Sequence, residues 1–425
     1  MFSVTVITSN PKGNIMETPV FQRTSVFIAS AIILGITTTA SALDFGPLKV
    51  GGAMRANYTQ GDYTKDDSGA PQRGGNGGNF ALDVFRLNLD FAHENWIGKA
   101  EYRWYDGYNF LHTGWFGYES DSFGRLEVGL TRTPFGVGAY GPANSYFFDQ
   151  HYYVGLADAM QLGATYTRSF DRFTVDLGYY PIDMINGKGA SDESARYTFA
   201  VVDEDVGGIP GSYEQRHQFN IRANYAIEEI GTTVGASAMW SKLDAQDNRA
   251  ENSDAYAASL HSLSQWGPFG LKLQLTHYDY DVDYNRSADG IRPPNDLINM
   301  GAYDFAWPVA SSGTIPSIAV SYTIKPELNW IDSITFYNDY SIIVKRGDLD
   351  GVDFNDSALN VTGMAIAYGN WTIYIDYAIS SGNTFVGNEG DVYGDTYSES
   401  SVGDFGANRN NHWNSRFNIN FGYYF

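Results

Sequence analysis

Apolar and polar residues alternate with a period of two along most of this chain, in segments of about ten residues, the length a tilted strand needs to cross a bilayer. In the clearest stretch Phe85, Leu87, Leu89 and Phe91 fall on one face while Arg86, Asn88 and Asp90 fall on the other. The final stretch repeats it: Phe417, Ile419, Phe421, Tyr423 and Phe425 alternate with Arg416, Asn418, Asn420, Gly422 and Tyr424. Sixteen strands are predicted, at 48–58, 81–94, 96–106, 110–119, 123–133, 160–170, 172–182, 215–227, 230–242, 253–265, 268–280, 314–325, 330–345, 356–368, 371–381 and 411–425. Apolar outside and polar inside is the pattern of an all-β transmembrane antiparallel barrel, which leaves no backbone group unpaired in hydrocarbon.

The connections test this independently. Those after even strands are short, as at Asn95, Asp171, Glu228-Glu229, Trp266-Gly267 and Gly369-Asn370. Those after odd strands are mostly long and rich in Gly, Asp, Asn and Ser, as at 59–80, 134–159, 183–214, 281–313 and 382–410. Short periplasmic turns and long external loops follow, with both termini periplasmic. The connection 107–109 is too short for this scheme and puts the third or fourth strand in question. Trp96, Trp266, Trp330 and Trp371 sit at or beside the short turns, where an interfacial girdle belongs.

Only Ser25 to Thr39 could pass for an apolar helix, and Arg23 before it and Ala40-Ser41-Ala42 after it read as a signal peptide over 1–42. A start at Met16 would give that segment an ordinary length. Removing 1–42 takes Lys12, Arg23 and Glu17, so 25 basic and 48 acidic side chains remain, a formal charge of −23. That balance argues against nucleic acid as a partner. With no Cys, neither disulfides nor thiolate metal sites are available. The expected location is the outer membrane of a Gram-negative bacterium, against lipid and lipopolysaccharide.

Inward-phase cations are Arg55, Arg86, Lys99, Arg103, Arg125, Arg222, Lys272 and Arg416, and inward acids are Asp90, Glu101, Glu127, Asp176, Asp339 and Asp376. Lys or Arg facing lipid near the midplane would cost about 2–4 kcal/mol, so a hydrated lumen is implied. Counting up the strands puts Arg55, Arg86, Arg103 and Arg416 at one level, roughly 18–23 Å above the periplasmic end, on neighbouring strands. They are read as an anion-preferring patch with Lys99 and Arg222. The alternative is that these cations pair with the inward acids. Residues 134–159 are the candidate constriction loop, through Pro134, Phe135, Gly136, Phe148, Asp149, His151 and Asp158, because their aromatic content is too high for a solvated tip. An external lid or a trimer contact is the other use for those rings.

Residues 83–182 resemble the phosphate-selective porin O and P family. The features are Phe85-Arg86-Leu87-Asn88-Leu89, Lys99-Ala100-Glu101-Tyr102, Val128-Gly129-Leu130-Thr131-Arg132-Thr133-Pro134-Phe135-Gly136 and Gln161-Leu162-Gly163-Ala164-Thr165-Tyr166. The resemblance implies a sixteen-stranded, trimeric porin whose third external loop folds inward. Phosphate-selective members line the channel with dense Arg and Lys ladders, whereas this chain has only 27 Lys and Arg in all, so the fold carries over better than the phosphate preference. Passive diffusion of small hydrophilic solutes or ions is the expected function, and a non-transporting adhesin or structural barrel is the alternative. Asp279-Asp281-Asp283 and Asp348-Asp350-Gly351-Asp353 lack EF-hand spacing, and no metal or cofactor is expected. No Ser–His pair stands out, so no enzyme is expected either.

Overall fold

A computed structural model describes residues 43–425 apart from 64–77, 207, 286–292, 350, 388–403 and 409–411. The expected signal peptide, 1–42, and Asp350 lie outside the described residues. The sixteen barrel strands are β1 (Leu48–Gly61), β2 (Asn79–His93), β3 (Trp96–Trp104), β4 (Asn109–Ser120), β5 (Gly124–Arg132), β6 (Met160–Phe170), β7 (Phe173–Ile182) and β8 (Tyr213–Ile227), followed by β9 (Thr232–Ala245), β10 (Ser253–Trp266), β11 (Phe269–Tyr280), β12 (Ser312–Ile324), β13 (Ser333–Arg346), β14 (Ser357–Tyr368), β15 (Trp371–Ser381) and β16 (Trp413–Tyr424). Each pairs antiparallel with its neighbours, and β1 closes on β16 in the register Ala53↔Tyr424 to Gly61↔Arg416. The segments expected from alternation match these strands to within three residues at either end.

The short turns use backbone conformations with positive φ, which suit the right-handed twist of two-residue hairpins. Gly369 (φ 52°) supplies one at no steric cost, while Glu94 (φ 53°) and Asp171 (φ 52°) supply others from non-glycine residues. Trp96, Trp266, Trp330 and Trp371 are all exposed at this end. Trp96 stacks on Phe116 at 5.4 Å and Trp371 packs on Tyr423 at 5.1 Å.

The short external connection is real, and β3 and β4 both stand where alternation put them. Tyr105 N–H donates to the Tyr108 carbonyl (2.9 Å), and the two rings stack at 5.1 Å. Cover comes from the 183–212 loop, where Lys188 and Asn109 exchange backbone hydrogen bonds of 2.8 and 2.9 Å.

Four register shifts depart from strict alternation, one in β8 between Arg216 and Phe219, one between β6 and β7 at Leu162/Ala164, and two that bear on the lumen. The register runs Arg55↔Val84 and then Ala56↔Leu82, so Asp83 is an extra residue in β2. In β4 the pairs Glu101↔Thr113 and Tyr102↔Leu111 leave His112 extra. A bulged residue is re-aimed relative to its neighbours.

The interior is not uniformly polar, which confines the expected polar lining to part of the lumen. In the periplasmic half the inward positions of β7 to β16 carry Asp176, Asn220, Ser237, His261, Gln274, Ser317, Asp376 and Asn420. In the external half, β9 to β15 turn Met239, Leu243, Ala255, Ala257, Tyr278, Ile315, Ile343, Leu359 and Ala378 inward. External loops fill this upper space. They include a small sheet in which Leu297–Ala302 pairs with Phe305–Ala310 and with Ala200–Val201. Apolar inward positions are stable there because loop side chains, not water, cover them.

Candidate functional site: the barrel lumen

Residues 133–159 connect β5 to β6 and cross the bore. The Gly136 N–H donates to Ser237 Oγ on β9 (2.9 Å) and the Val137 N–H to Gln274 Oε1 on β11 (2.9 Å). Further along, Asp339 Oδ2 on β13 accepts from the Asn144 and Ser145 N–H groups, each at 2.7 Å, and Asp376 Oδ2 on β15 accepts from the Tyr146 N–H at 3.3 Å. Lys272 Nζ donates to the Ala143 carbonyl (2.9 Å), and Asn57 Nδ2 on β1 donates to the Tyr146 hydroxyl (3.2 Å). A segment with no strand partner must satisfy its backbone groups elsewhere, and inward carboxylates, amides and hydroxyls do so here.

The individual loop residues divide by partner. Pro134 and Phe135 are buried beside Gly136, and Phe148 stacks on Tyr152 at 3.8 Å. Asp149 Oδ2 lies 2.5 Å from His151 Nδ1, while His151 Nε2 lies 2.8 Å from Thr276 Oγ1 and Ser317 Oγ donates to Asp149 Oδ2 (3.3 Å). Asp158 accepts from Arg132 Nε at 2.6 Å. Burial pushes the Tyr152, Tyr153 and Tyr146 hydroxyls above the usual tyrosine range, so all three act as neutral hydrogen-bonding groups.

The cations expected to form an anion patch are largely pinned to acids. Arg55 pairs with Asp83 (2.9 Å), Arg103 with Glu101 (2.6 Å), Lys99 with Asp90 (3.2 Å) and Arg222 with Asp176 (2.8 Å). Arg86 lies 3.7 Å from the same Glu101. Arg416 holds neutral partners: it donates to the Phe385 carbonyl (2.9 Å), Thr59 Oγ1 (3.1 Å) and Asn418 Oδ1 (2.9 Å). The four arginines also lie over rings, Arg55 over Tyr146, Arg86 over Tyr424, Arg103 over Tyr197 and Arg416 over Phe147, at 4.4–5.6 Å. Fixed in this way, they brace loops against the wall.

Asp83 is opposite in phase to Arg86, so strict alternation would turn it outward. The bulge turns it to Arg55, and no sequence signal marks that bulge. Glu101 reaches the arginine level, because Glu101 and Arg103 are two residues apart on one strand face and Arg86 pairs directly across from Arg103.

No family model and no curated protein sequence matches the chain. Among solved structures, OmpT of Vibrio cholerae in its trimer form is 16% identical over 90% of this chain and 100% of its own, with a TM-score of 0.53. The outer-membrane channel DcaP of Acinetobacter baumannii shares 9% identity over 89% of this chain and 97% of its own (TM-score 0.53). The anion-selective porin from Comamonas acidovorans shares 12% over 89% and 99% (TM-score 0.53). The phosphate-selective O and P family finds no matching family model here. The expected exclusion of an enzyme is also corrected. The OmpT structures are titled as outer-membrane proteins, and a barrel shared at 14–16% identity rules out no catalysis. The fold moreover assembles the Asp149, His151, Thr276 and Ser317 contact that sequence spacing hid. The likeness is one of fold: the chain is a sixteen-stranded antiparallel β-barrel of the kind these outer-membrane proteins share.

Proposed function

We propose that this barrel is a diffusion pore for small hydrophilic solutes, narrowed by residues 133–159. The observation that carries the reading is the hydrogen-bonded crossing of that segment between β9, β11, β13, β15 and β1. A sixteen-stranded barrel is wide enough for an aqueous channel, and a segment tied across it narrows the bore without filling the periplasmic half. Because Arg55, Arg86, Arg103 and Arg222 face acids, the wall is close to charge-compensated. Weak ion preference fits that geometry better than strong anion selection, since a one-sign ring is what gives a pore its selecting field. A homotrimer is proposed by analogy with the OmpT trimer form, and the acidic external loops are proposed to meet lipopolysaccharide through divalent ions.

Planar-bilayer recording of the purified mature chain tests the pore. Stable conductance with a reversal potential near zero in a potassium chloride gradient is expected, and a steep anion preference would overturn the compensated wall. The packed external half favours a second reading, a barrel that transports nothing. A folded, reconstituted protein with no conductance would select it.

A further inference from the structure

One arginine outside the expected patch stays open to solvent. Arg132 is the last residue of β5 and shares the phase of the lipid-facing Val128, so strict alternation omits it from the inward set. At the strand end its side chain reaches the crossing segment instead: Nε donates to Asp158 Oδ1 at 2.6 Å, and the guanidinium lies over the Tyr140 ring at 5.5 Å. Neither Nη group makes a hydrogen bond to any described residue. The Arg132 side chain is 36% exposed, against 19% for Arg55 and Arg86 and 6% for Arg103.

Tyr140 is held at the same place by the same acid. The Asp158 N–H donates to the Ala139 carbonyl (2.7 Å), and the Gly141 N–H closes a turn onto the Gly138 carbonyl (3.4 Å). Gly141 has φ 65°, a conformation that suits glycine. Phe148 backs the Tyr140 ring at 6.1 Å. The ring is nevertheless 37% exposed, and its hydroxyl makes no hydrogen bond to any described residue. Beside it there is room: a Cβ added at Gly138 would meet nothing within 4 Å.

We infer that Arg132 and Tyr140 form a solute-binding subsite on the crossing segment, and that it takes neutral sugars or polyols. The inference rests on the diffusion-pore reading and names a solute class for it. An exposed tyrosine ring offers an apolar face to the C–H face of a sugar, and the planar Nη groups offer donors to neighbouring hydroxyl oxygens. Asp158, whose side chain is fully buried, already balances the guanidinium charge. A second carboxylate on that guanidinium would be repelled by Asp158, whereas a hydroxyl would not. Asp158 is therefore a positioning residue, since it fixes the arginine through its carboxylate and the tyrosine's turn through its N–H.

The test uses the full mature chain in planar bilayers, with ion current titrated by maltose, by sucrose and, at constant ionic strength, by gluconate. Folding is checked by heat-modifiable migration. Both sugars should block wild-type current saturably, and gluconate should block it less than either. Tyr140→Ala should raise the half-blocking sugar concentration about ten-fold, whereas Tyr140→Phe, which keeps the ring face, should hold it within about two-fold. Arg132→Lys keeps a charge beside Asp158 but removes the planar fork, and should raise it roughly five-fold. Leu260→Ala, on the lipid face, should leave the block as in the wild type. Weakening of the block in that pattern supports the inference. A conducting wild type that neither sugar blocks, or a block unchanged in folded Tyr140→Ala and Arg132→Lys, overturns it and leaves the pore intact. Stronger block by gluconate than by the sugars also overturns it. A folded wild type without conductance removes the pore reading and this inference together.

Discussion

The periplasmic and external halves of this bore are built from the same sixteen strands, yet over β9 to β15 the periplasmic half is lined with amides, hydroxyls and acids and the external half largely with methionine, leucine, isoleucine, alanine and tyrosine. The difference lies in what covers the wall. Where inward side chains meet water or the backbone of a crossing segment, polar groups are needed to satisfy it. Where they meet the underside of folded loops, burial of apolar surface favours the contact. A barrel therefore presents a wet wall and a packed wall without changing strand geometry. The crossing segment is the seam, with Asn144, Ser145 and Tyr146 bound to aspartates on one side and Tyr152 and Tyr153 sunk among rings on the other.

The comparison can be broken hardest in the packed half. Trp307→Ala should cost the small external sheet about 3–5 kcal/mol, the usual penalty for an aromatic cavity, seen as faster hydrogen exchange in 297–310 with the barrel strands unchanged. In the wet half, Asp339→Ala strips the acceptor from the Asn144 and Ser145 N–H groups. The loss should be about 1–3 kcal/mol of loop docking, read as increased proteolysis within 133–159 and noisier conductance. Glu101→Gln sharpens the charge side of the contrast. It leaves Arg86 and Arg103 without their shared carboxylate, so the reversal potential should move toward anion preference while conductance changes little.

The smallest effect is expected outside the membrane, at the clasp between the 203–212 and 246–252 loops. Arg249 Nη1 donates to both Asp205 oxygens at 2.8 Å, and its Nε donates to Asp247 at 2.6 Å. Burial alone would raise the Asp205 carboxyl, but the Arg249 and Gly211 hydrogen bonds outweigh it and hold it below the usual carboxylate range. Asp247 is lowered against the same burial by the Arg249 backbone and side chain. Carboxyls lowered by folding stabilise the folded state above their unfolded pKa, about 3.9, and that stabilisation disappears as pH falls through the lower folded value. Protease sensitivity of the two loops should rise below about pH 4 and stay flat from pH 5 to 8, and Arg249→Met should remove the step.

Much of the fold was legible beforehand because a strand's periodicity is local. Phe85 to Asp90 reveal their two faces with no knowledge of the partner strand, and Trp96, Trp266 and Trp371 mark the interface through side-chain chemistry alone. The lumen was less legible. Arg103 and Glu101 sit two residues apart in the sequence, yet their pairing depends on rotamers and on Tyr197, which arrives from a distant loop. Asp83 reached Arg55 only through a bulge, and Asp149, His151, Thr276 and Ser317 meet across more than a hundred residues.

Sequence alone determined that this chain closes into a cylinder with an apolar exterior, since alternation, turn length and aromatic placement are each fixed by near neighbours. Tertiary structure alone decided how the interior is divided. Whether an inward alanine or arginine faces water, an acid or a ring depends on loops that return from far along the chain, and no local pattern encodes that contact.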